Sequence, residues 1–357
     1  MKKKKRKLKK PVKLFLIGVC STILLIIGIF FAIDQYEIHQ LKEIGYEEIK
    51  AIDKYKLRKT LIKRGEYSKA LEDALVEGVV YLDYLDLYFV RDEVSLEITL
   101  LYQKLEDKSY PKESLLALFS ELDFRELTPL LVFDFQEEIT LYINDVISNR
   151  HKNQNQFVLT NSYFSHYEQV AITTITDPHA IFVSKRYQLP QDYAVDVVNV
   201  SIGCRLSLMQ LEVTTAQAYE TMCNDMKDLG MQIASTSGYR THETQESLYN
   251  SVIADYGLER GEMRVVRPGF SEHQTGLAVD IASLTTPDVY FVDSMESDWL
   301  IEHAHEYGFI LRYPQGYEQI TGVQYESWHY RYVGIELATK IKESGLTYDE
   351  YYLLYLK

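Results

Sequence analysis

The chain has 357 residues, 46% of them apolar, which is enough for one or two globular domains with a sizeable core. Its charge is divided unevenly. Residues 2–13 carry nine lysines or arginines and no acid, and the remainder holds 29 basic and 52 acidic residues, a net charge of −23. Such an acidic chain argues against nucleic acid as a partner, because binding its phosphates requires an extended basic surface.

The first predicted element is a membrane-spanning helix at residues 14–33, which contain no charged residue. Twenty helical residues match a hydrocarbon core of roughly 30 Å. The positive-inside rule then puts the basic residues 1–13 in the cytoplasm and the rest of the chain outside the cell membrane. A cleaved signal peptide is the alternative. Because the apolar run exceeds the usual 7–15 residues of a signal peptide and ends without a clear cleavage site, an uncleaved single-pass anchor is favoured.

Residues 35–150 are predicted to form an all-helical extracellular segment. Within them, apolar residues from Leu71 to Leu85 recur at steps of three and four, while acids fill much of the opposite face. The sequence leaves the function of this segment open between a spacer, a wall-binding module and a packing platform for an enzyme.

The C-terminal half has a different composition and a different pattern of apolar residues. Residues 151–175 are polar and mixed, which predicts a linker. From residue 176 to 345, short β-branched runs alternate with helical patterns, which predicts an α+β domain, and residues 346–357 are predicted to be a tail. Cys204 and Cys223 would both lie outside the membrane, where they could pair or stay as two buried thiols.

Three residues of the predicted α+β domain form a candidate zinc site. His273, Asp280 and His329 would supply two imidazoles and a carboxylate, and a catalytic zinc takes three such ligands and keeps one position open for water. Asp280 lies in Leu277–Ala282, where large aliphatic residues alternate with small or acidic ones. A strand there would turn Asp280 away from the core, where a metal could pair its charge.

Two further residues complete the chemistry of a hydrolase. Glu326 precedes His329 by three residues, so a helix or a tight turn would bring its carboxylate close to a metal-bound water as general base. Arg240 offers a fork of donors for an oxyanion or a substrate carboxylate. His303 and His305 are not expected to share a metal ion, because two residues apart on a helix means about 200° apart.

These motifs resemble the VanY-type D-alanyl-D-alanine carboxypeptidases, zinc peptidases of bacterial cell-wall metabolism. The resemblance covers roughly residues 176–345. It is carried by Ser237-Gly238-Tyr239-Arg240, by Ser271-Glu272-His273-Gln274-Thr275-Gly276 with Asp280, by Gly308-Phe309 with Arg312-Tyr313-Pro314, and by Glu326-x-Trp328-His329.

The resemblance implies a fold and a set of roles. The fold would be a small antiparallel sheet flanked by helices. Zinc would fall to His273, Asp280 and His329, and Glu326 would be the base. Arg240 would stabilise the transition state or hold the substrate. The residues expected to contact the terminal residue of the peptide are Ser271, Gln245, Tyr239 and Trp328.

The function predicted from the sequence is a zinc carboxypeptidase that removes the C-terminal D-alanine from peptidoglycan stem peptides outside the membrane. An endopeptidase with the same zinc site is the alternative within the enzyme class. A non-catalytic wall-binding protein is the alternative outside it, and the intact set of ligands and base argues against that. D,D- and L,D-enzymes share these motifs, so the stereochemistry stays open.

Overall fold

The computed structural model describes residues 10–132, 139–150, 167, 170–287 and 289–357. The chain divides into two compact units, an N-terminal unit of residues 1–99 and a C-terminal unit of residues 100–357. Most of the predicted linker 151–175, and residues 1–9 of the predicted cytoplasmic tail, lie outside the described residues.

The N-terminal unit is helical. A long first helix leads into three short ones and a 3-10 helix: α1 Lys10–Ile44, α2 Ile49–Lys54, α3 Arg58–Arg64, α4 Lys69–Glu77 and the 3-10 helix Leu82–Phe89. The short helices pack on the C-terminal end of α1 through a core that includes Leu41, Tyr46 and Leu61. In the described residues, the segment Ser21–Ile44 of α1 is long and apolar enough to cross a membrane. A signal sequence would pass the same test of length and composition.

The single helical pattern predicted from Leu71 to Leu85 is interrupted. Helix α4 ends at Gly78, whose φ of 79° is in the left-handed region that favours glycine. Val79 and Leu82 are about half exposed, at 52% and 47%. The spacing of the apolar residues was helical, but the left-handed glycine ends the helix before the pattern does.

The first part of the C-terminal unit is also helical. Its helices are α5 Leu96–Asp107 (which begins just before the division between the units), α6 Lys112–Glu121, α7 Phe124–Leu127, α8 Pro129–Val132 and α9 Ile139–Asn149. This part of the prediction for residues 35–150 agrees with the structure.

Strands and helices alternate through the rest of the C-terminal unit. In chain order they are β1 Ala171–Ile172, β2 Tyr187–Gln188, β3 Val197–Asn199, β4 Gln210–Glu212, α10 Val213–Asp228, β5 Ile233–Ser237, α11 His242–Tyr256, α12 Leu258–Glu262, β6 Ala278–Ser283, α13 Met295–His303, β7 Phe309–Leu311, α14 Glu318–Thr321, β8 His329–Tyr332, α15 Ile335–Ser344 and α16 Tyr348–Tyr351. The main sheet has four antiparallel strands in the order β5-β6-β8-β7. The predicted α+β fold, a small antiparallel sheet flanked by helices, is confirmed.

Strand β6 separates the core from the candidate site. Leu277, just before the strand, and Val279 and Ile281 within it belong to the main core together with helix α10 and strand β8. Because side chains alternate along a strand, Asp280 points to the opposite face of the sheet. The candidate site is therefore built on the face of the sheet that the main core does not occupy.

Two features differ from the predicted domain limits. The compact unit that carries the main sheet begins at residue 100, so it includes the helices α5 to α9. Residues 346–357, expected to be a tail, are folded: α16 is followed by a π-helix at Tyr352–Leu356, and Tyr348 and Asp349 are buried. The limits at residues 150 and 176 stay a prediction, because a compact unit can contain more than one sequence domain.

Candidate active site

The pairing of β6 and β8 brings Asp280 and His329 together. The two residues are direct partners in the antiparallel register, so their side chains leave the same face of the sheet. Asp280 Oδ1 lies 3.0 Å from His329 Nδ1. The His329 ring is buried, with 3% of the residue exposed.

His273 approaches this pair from a 3-10 turn, Glu272–Thr275, that precedes β6. The turn ends at Gly276, whose φ of 72° requires glycine or costs strain. His273 Nδ1 lies 2.8 Å from the carbonyl oxygen of Gly238, which can only accept, so we assign the ring proton to Nδ1. This assignment leaves the Nε2 lone pair free, 3.4 Å from Asp280 Oδ2.

These three residues form a group that could hold a metal ion. One ligand atom from each of His273, Asp280 and His329 lies within 4.8 Å of the other two. Burial alone would raise the pKa of Asp280, but the charges and hydrogen bonds of His273 and His329 hold it well below its usual value. The group therefore presents an ionised carboxylate between two imidazoles, a donor set that zinc takes in catalytic sites.

Glu272 holds His329 from the other side, and the sequence analysis assigned it no role. Its carboxylate is fully buried and accepts hydrogen bonds from Arg312 Nε at 2.8 Å and Arg331 Nη1 at 2.9 Å. Its second oxygen lies 3.2 Å from His329 Nε2. Burial would raise the pKa of Glu272, but the two guanidinium groups hold it far below its usual value. An ionised Glu272 accepts the proton of Nε2, which turns Nδ1 toward Asp280.

The side chains of Arg312 and Arg331 are held in turn by other residues of the C-terminal unit. Arg312 Nη1 donates to Asp349 Oδ2 at 2.5 Å, and Arg331 Nη2 donates to the carbonyl oxygen of Ile181 at 2.6 Å. Both guanidinium groups are buried. Each buried charge thus has an opposite partner, which is the condition under which such groups are tolerated in a core.

Glu326 lies in a tight turn before β8. The backbone N–H of His329 donates to the carbonyl oxygen of Glu326 at 3.3 Å, and this turn brings Glu326 Oε2 to 3.8 Å from His329 Nδ1. The side chain is 12% exposed. Burial raises the pKa of Glu326 to about 7, although the attraction of His329 opposes this shift. A carboxyl group with a pKa near neutrality, beside the three donors, is suited to accept and return a proton.

Arg240 is held at the edge of the same site. Its backbone N–H donates to the carbonyl oxygen of His273 at 3.0 Å, while its guanidinium donates to Ser237 Oγ at 2.9 Å and to Gln245 Oε1 at 2.7 Å. Gln245 is 1% exposed, and its Nε2 donates to the carbonyl oxygen of Val266 at 2.8 Å. The expected contact of Gln245 with the peptide stays a prediction; in the structure its amide oxygen accepts a hydrogen bond from Arg240.

Comparisons with known proteins show the family of this chain. The family model described as VanY, D-alanyl-D-alanine carboxypeptidase, matches residues 208–335. YodJ of Bacillus subtilis strain 168 is 34% identical over 217 residues, which cover 57% of this chain and 80% of YodJ. The chain belongs to the VanY-type family of D-alanyl-D-alanine carboxypeptidases. The resemblance inferred from the motifs is thus confirmed, and the protein is a hydrolase of the carboxypeptidase class.

Two other known proteins are similar to this chain. A D-alanyl-D-alanine carboxypeptidase of Enterococcus faecalis is 35% identical over 180 residues, which cover 48% of this chain and 64% of that protein. A solved structure of the vancomycin resistance D,D-pentapeptidase VanY, a variant from a VanB-type cassette in complex with Zn(II), is 35% identical. It covers 49% of this chain and 99% of that chain, with a TM-score of 0.43.

The other predicted substrate-binding residues of this VanY-type site differ in exposure. Ser271 is buried, with 2% exposed, and immediately precedes the turn that carries His273. Trp328 is 36% exposed and lies between Glu326 and His329 in sequence. Tyr239 is half-buried, and its backbone N–H donates to the carbonyl oxygen of Gln210 at 2.7 Å. Their roles toward substrate stay predictions.

The structure also shows the positions of the two histidines that were not expected to bind metal and of two cysteines outside the predicted anchor. His303 Nδ1 lies 2.9 Å from Glu306 Oε1, and neither His303 nor His305 belongs to the group that could hold a metal. Cys204 and Cys223, whose pairing the sequence left open, form a disulfide between the 3-10 turn Ile202–Cys204 and α10.

Proposed function

We propose that this VanY-type protein is a zinc carboxypeptidase that removes the C-terminal D-alanine from peptidoglycan stem peptides on the outer face of the membrane. The observation that carries the proposal is the convergence of Glu326 on the group formed by His273, Asp280 and His329. A general base beside three ligands is the arrangement of a metal-assisted hydrolase, whereas a structural zinc would require four protein ligands.

The residues present fit zinc. His273 would bind through Nε2 and His329 through Nδ1, because Gly238 and Glu272 engage the other nitrogen of each ring. Asp280 would supply the carboxylate. When bound there, zinc acts as a Lewis acid that lowers the pKa of a coordinated water toward neutrality and polarises the scissile carbonyl.

The chain's own residues would then move the proton and hold the substrate. Glu326 would accept the proton of the attacking water at Oε2 and return it to the leaving amine, which its pKa of about 7 suits. Arg240 would place positive charge beside the developing oxyanion or the terminal carboxylate, in an orientation fixed by Ser237 and Gln245. Ser271, Tyr239 and Trp328 would contact the terminal residue.

The membrane part of the proposal rests on α1. We infer that residues 14–33 are an uncleaved anchor with a cytoplasmic N-terminus, because nine basic residues precede the apolar run. The disulfide between Cys204 and Cys223 agrees with a location outside the cytoplasm, where disulfides persist. The peptidase would then face the cell wall, where its substrate lies.

The experiment is an incubation of the zinc-loaded chain from about residue 35 with pentapeptide and tetrapeptide muropeptides, followed by mass spectrometry of the products. Loss of one alanine from the pentapeptide alone identifies a D,D-carboxypeptidase, and loss from the tetrapeptide alone identifies an L,D-carboxypeptidase. If neither loses alanine while zinc is bound, the carboxypeptidase proposal is wrong, and cleavage of cross-linked dimers would identify an endopeptidase instead.

A further inference from the structure

A basic turn lies between α2 and α3 in the N-terminal unit. Residues 54–59 hold four cations and no acid, in a chain whose net charge after residue 13 is −23. Lys54, Lys56 and Lys59 are exposed. In the described part of the chain, no ion pair to a carboxylate forms at any of these three lysines, whereas Arg58 is bonded to Asp53 and Asp34.

The contacts of α3 fix the direction in which this turn points. At the start of α3, Arg58 Nη1 lies 2.6 Å from Asp34 Oδ1 and 3.5 Å from Glu37 Oε2 on α1. Beyond the other end of α3, the carbonyl oxygen of Glu66 accepts from the hydroxyl of Tyr46, just past the end of α1. Helix α3 therefore runs parallel to α1, and the α2–α3 turn lies at the end nearest the apolar run.

Asp34 is the first charged residue after the apolar run that ends at Ile33. With a rise of about 1.5 Å per residue, Asp34 and Glu37 stand roughly 1.5 and 6 Å beyond the hydrocarbon edge when α1 follows the membrane normal. The headgroup region extends about 5–7 Å beyond that edge on each side. Arg58, which contacts both acids, is then at headgroup level. The three lysines lie within four residues of Arg58 in the same turn.

We propose that the α2–α3 turn, through Lys54, Lys56 and Lys59, is a membrane-surface contact that binds the phosphates of anionic phospholipid headgroups. The inference rests on the proposed membrane anchor. It gives the N-terminal unit a function that the sequence left open, namely to hold its short helices against the bilayer from which α1 emerges. The partner is a lipid surface, because the contacts of Arg58 put the turn at the level of Asp34, where the proposed anchor leaves the bilayer, and the three lysines are exposed there.

The first experiment is lysine footprinting of the full chain in lipid nanodiscs. Acylation of each amine is read by mass spectrometry in discs of phosphatidylglycerol and of phosphatidylcholine. We expect Lys54, Lys56 and Lys59 to react about fivefold more slowly in the anionic discs than in the phosphatidylcholine discs. This factor corresponds to the attraction between one lysine and an anionic membrane surface. The difference should disappear at high salt, where the Debye length is about 3 Å. Lys42, two turns beyond Asp34 on α1, is the internal control.

The outcomes separate this proposal from the one on which it rests. A chain that fails to enter nanodiscs overturns the anchor and this inference with it. A chain that enters them, but whose three lysines react equally in both lipids, overturns the surface contact alone. Equal protection by inorganic phosphate added to phosphatidylcholine discs also overturns it, because a site for free phosphate would not depend on the bilayer.

A matched pair of variants provides a second measurement. K54Q/K56Q/K59Q and K42Q/K50Q/K63Q remove the same charge from the same unit, but only the first set lies at the turn. After extraction from mixed membranes, the first variant should retain several-fold less phosphatidylglycerol per chain than the second. Equal retention by the two variants would contradict the proposal.

Discussion

Glu272 holds His329 from behind, and Glu272→Gln tests what this contact does for the candidate metal site. The substitution keeps the size of the side chain and removes its charge. One carboxylate oxygen accepts from both Arg312 and Arg331, and the other faces His329 Nε2. An amide can supply only one of these two acceptor positions, so its NH2 group would face either a buried guanidinium or the Nε2 proton.

The expected magnitudes follow from these contacts. Breaking a buried, hydrogen-bonded ion pair costs about 3–5 kcal/mol of unfolding free energy, and Glu272 is fully buried. Loss of the group that orients a metal-ligating histidine typically lowers metal affinity by about 10–100-fold. Glu272→Gln should therefore lower both stability and zinc affinity.

Asp349→Asn is the matched control. Asp349 pairs with the same Arg312 in the same buried network, but no hydrogen bond joins it to His329. The Asp349→Asn variant should lose about as much unfolding free energy as Glu272→Gln, but its zinc affinity should not change. The assays are denaturant unfolding of the metal-free chain and competition for zinc with a chelator of known affinity. If Glu272→Gln binds zinc as tightly as the unaltered chain, the orienting role of Glu272 is refuted.

The remaining predictions concern the site and the disulfide. Glu326→Ala should keep zinc and slow turnover by roughly 10² to 10⁴-fold, and near-normal activity would rule out Glu326 as base. His273→Ala should lose stoichiometric zinc in elemental analysis; a variant that retained the metal would refute the ligand assignment. In the metal-free chain the folded pKa of Glu326, about 7, exceeds the usual 4.5, so its contribution to stability is lost as the pH rises from 4.5 through 7. Glu326→Gln should then be more stable than the unaltered chain by up to about 3 kcal/mol at pH 8 and by little at pH 4, measured by denaturant unfolding. Gln245→Ala should raise KM or lower kcat with zinc content unchanged, and unaltered kinetics would show that Arg240 does not depend on it. Replacing Cys204 and Cys223 by serine should lower the unfolding free energy by about 3 kcal/mol, and reducing agent should have that effect only on the unaltered chain.

The motifs were sufficient to predict the three candidate ligands and the strand that carries one of them. Alternation of large aliphatic residues around Asp280 is a local property of a half-buried strand, so it can be read without the rest of the fold. For Glu326, the sequence predicted a position close to the metal site but left open whether a helix or a tight turn would bring it there. The structure has the turn, because His329 begins β8 and its N–H bonds back to the carbonyl oxygen of Glu326.

Glu272 could not be identified in this way. Its partners Arg312 and Arg331 are 40 and 59 residues away in the chain, and nothing local distinguishes a buried acid from a solvated one. The signal was present only as an acid beside His273 and as Arg312 in a later motif. Which charges meet depends on the antiparallel order of the sheet, a long-range property that no periodicity encodes.

By itself, then, the sequence determined the local features of this protein: the apolar run of α1, the helical spacing, the alternation in β6, and the family motifs with their candidate ligands. Only the tertiary structure decided the features that join distant segments. These are the disulfide between Cys204 and Cys223, the carboxylate behind His329, and the return of α3 to Asp34. The physical reason is that periodicity and turn chemistry act over a few residues, whereas charge pairing and packing depend on which elements become neighbours in space.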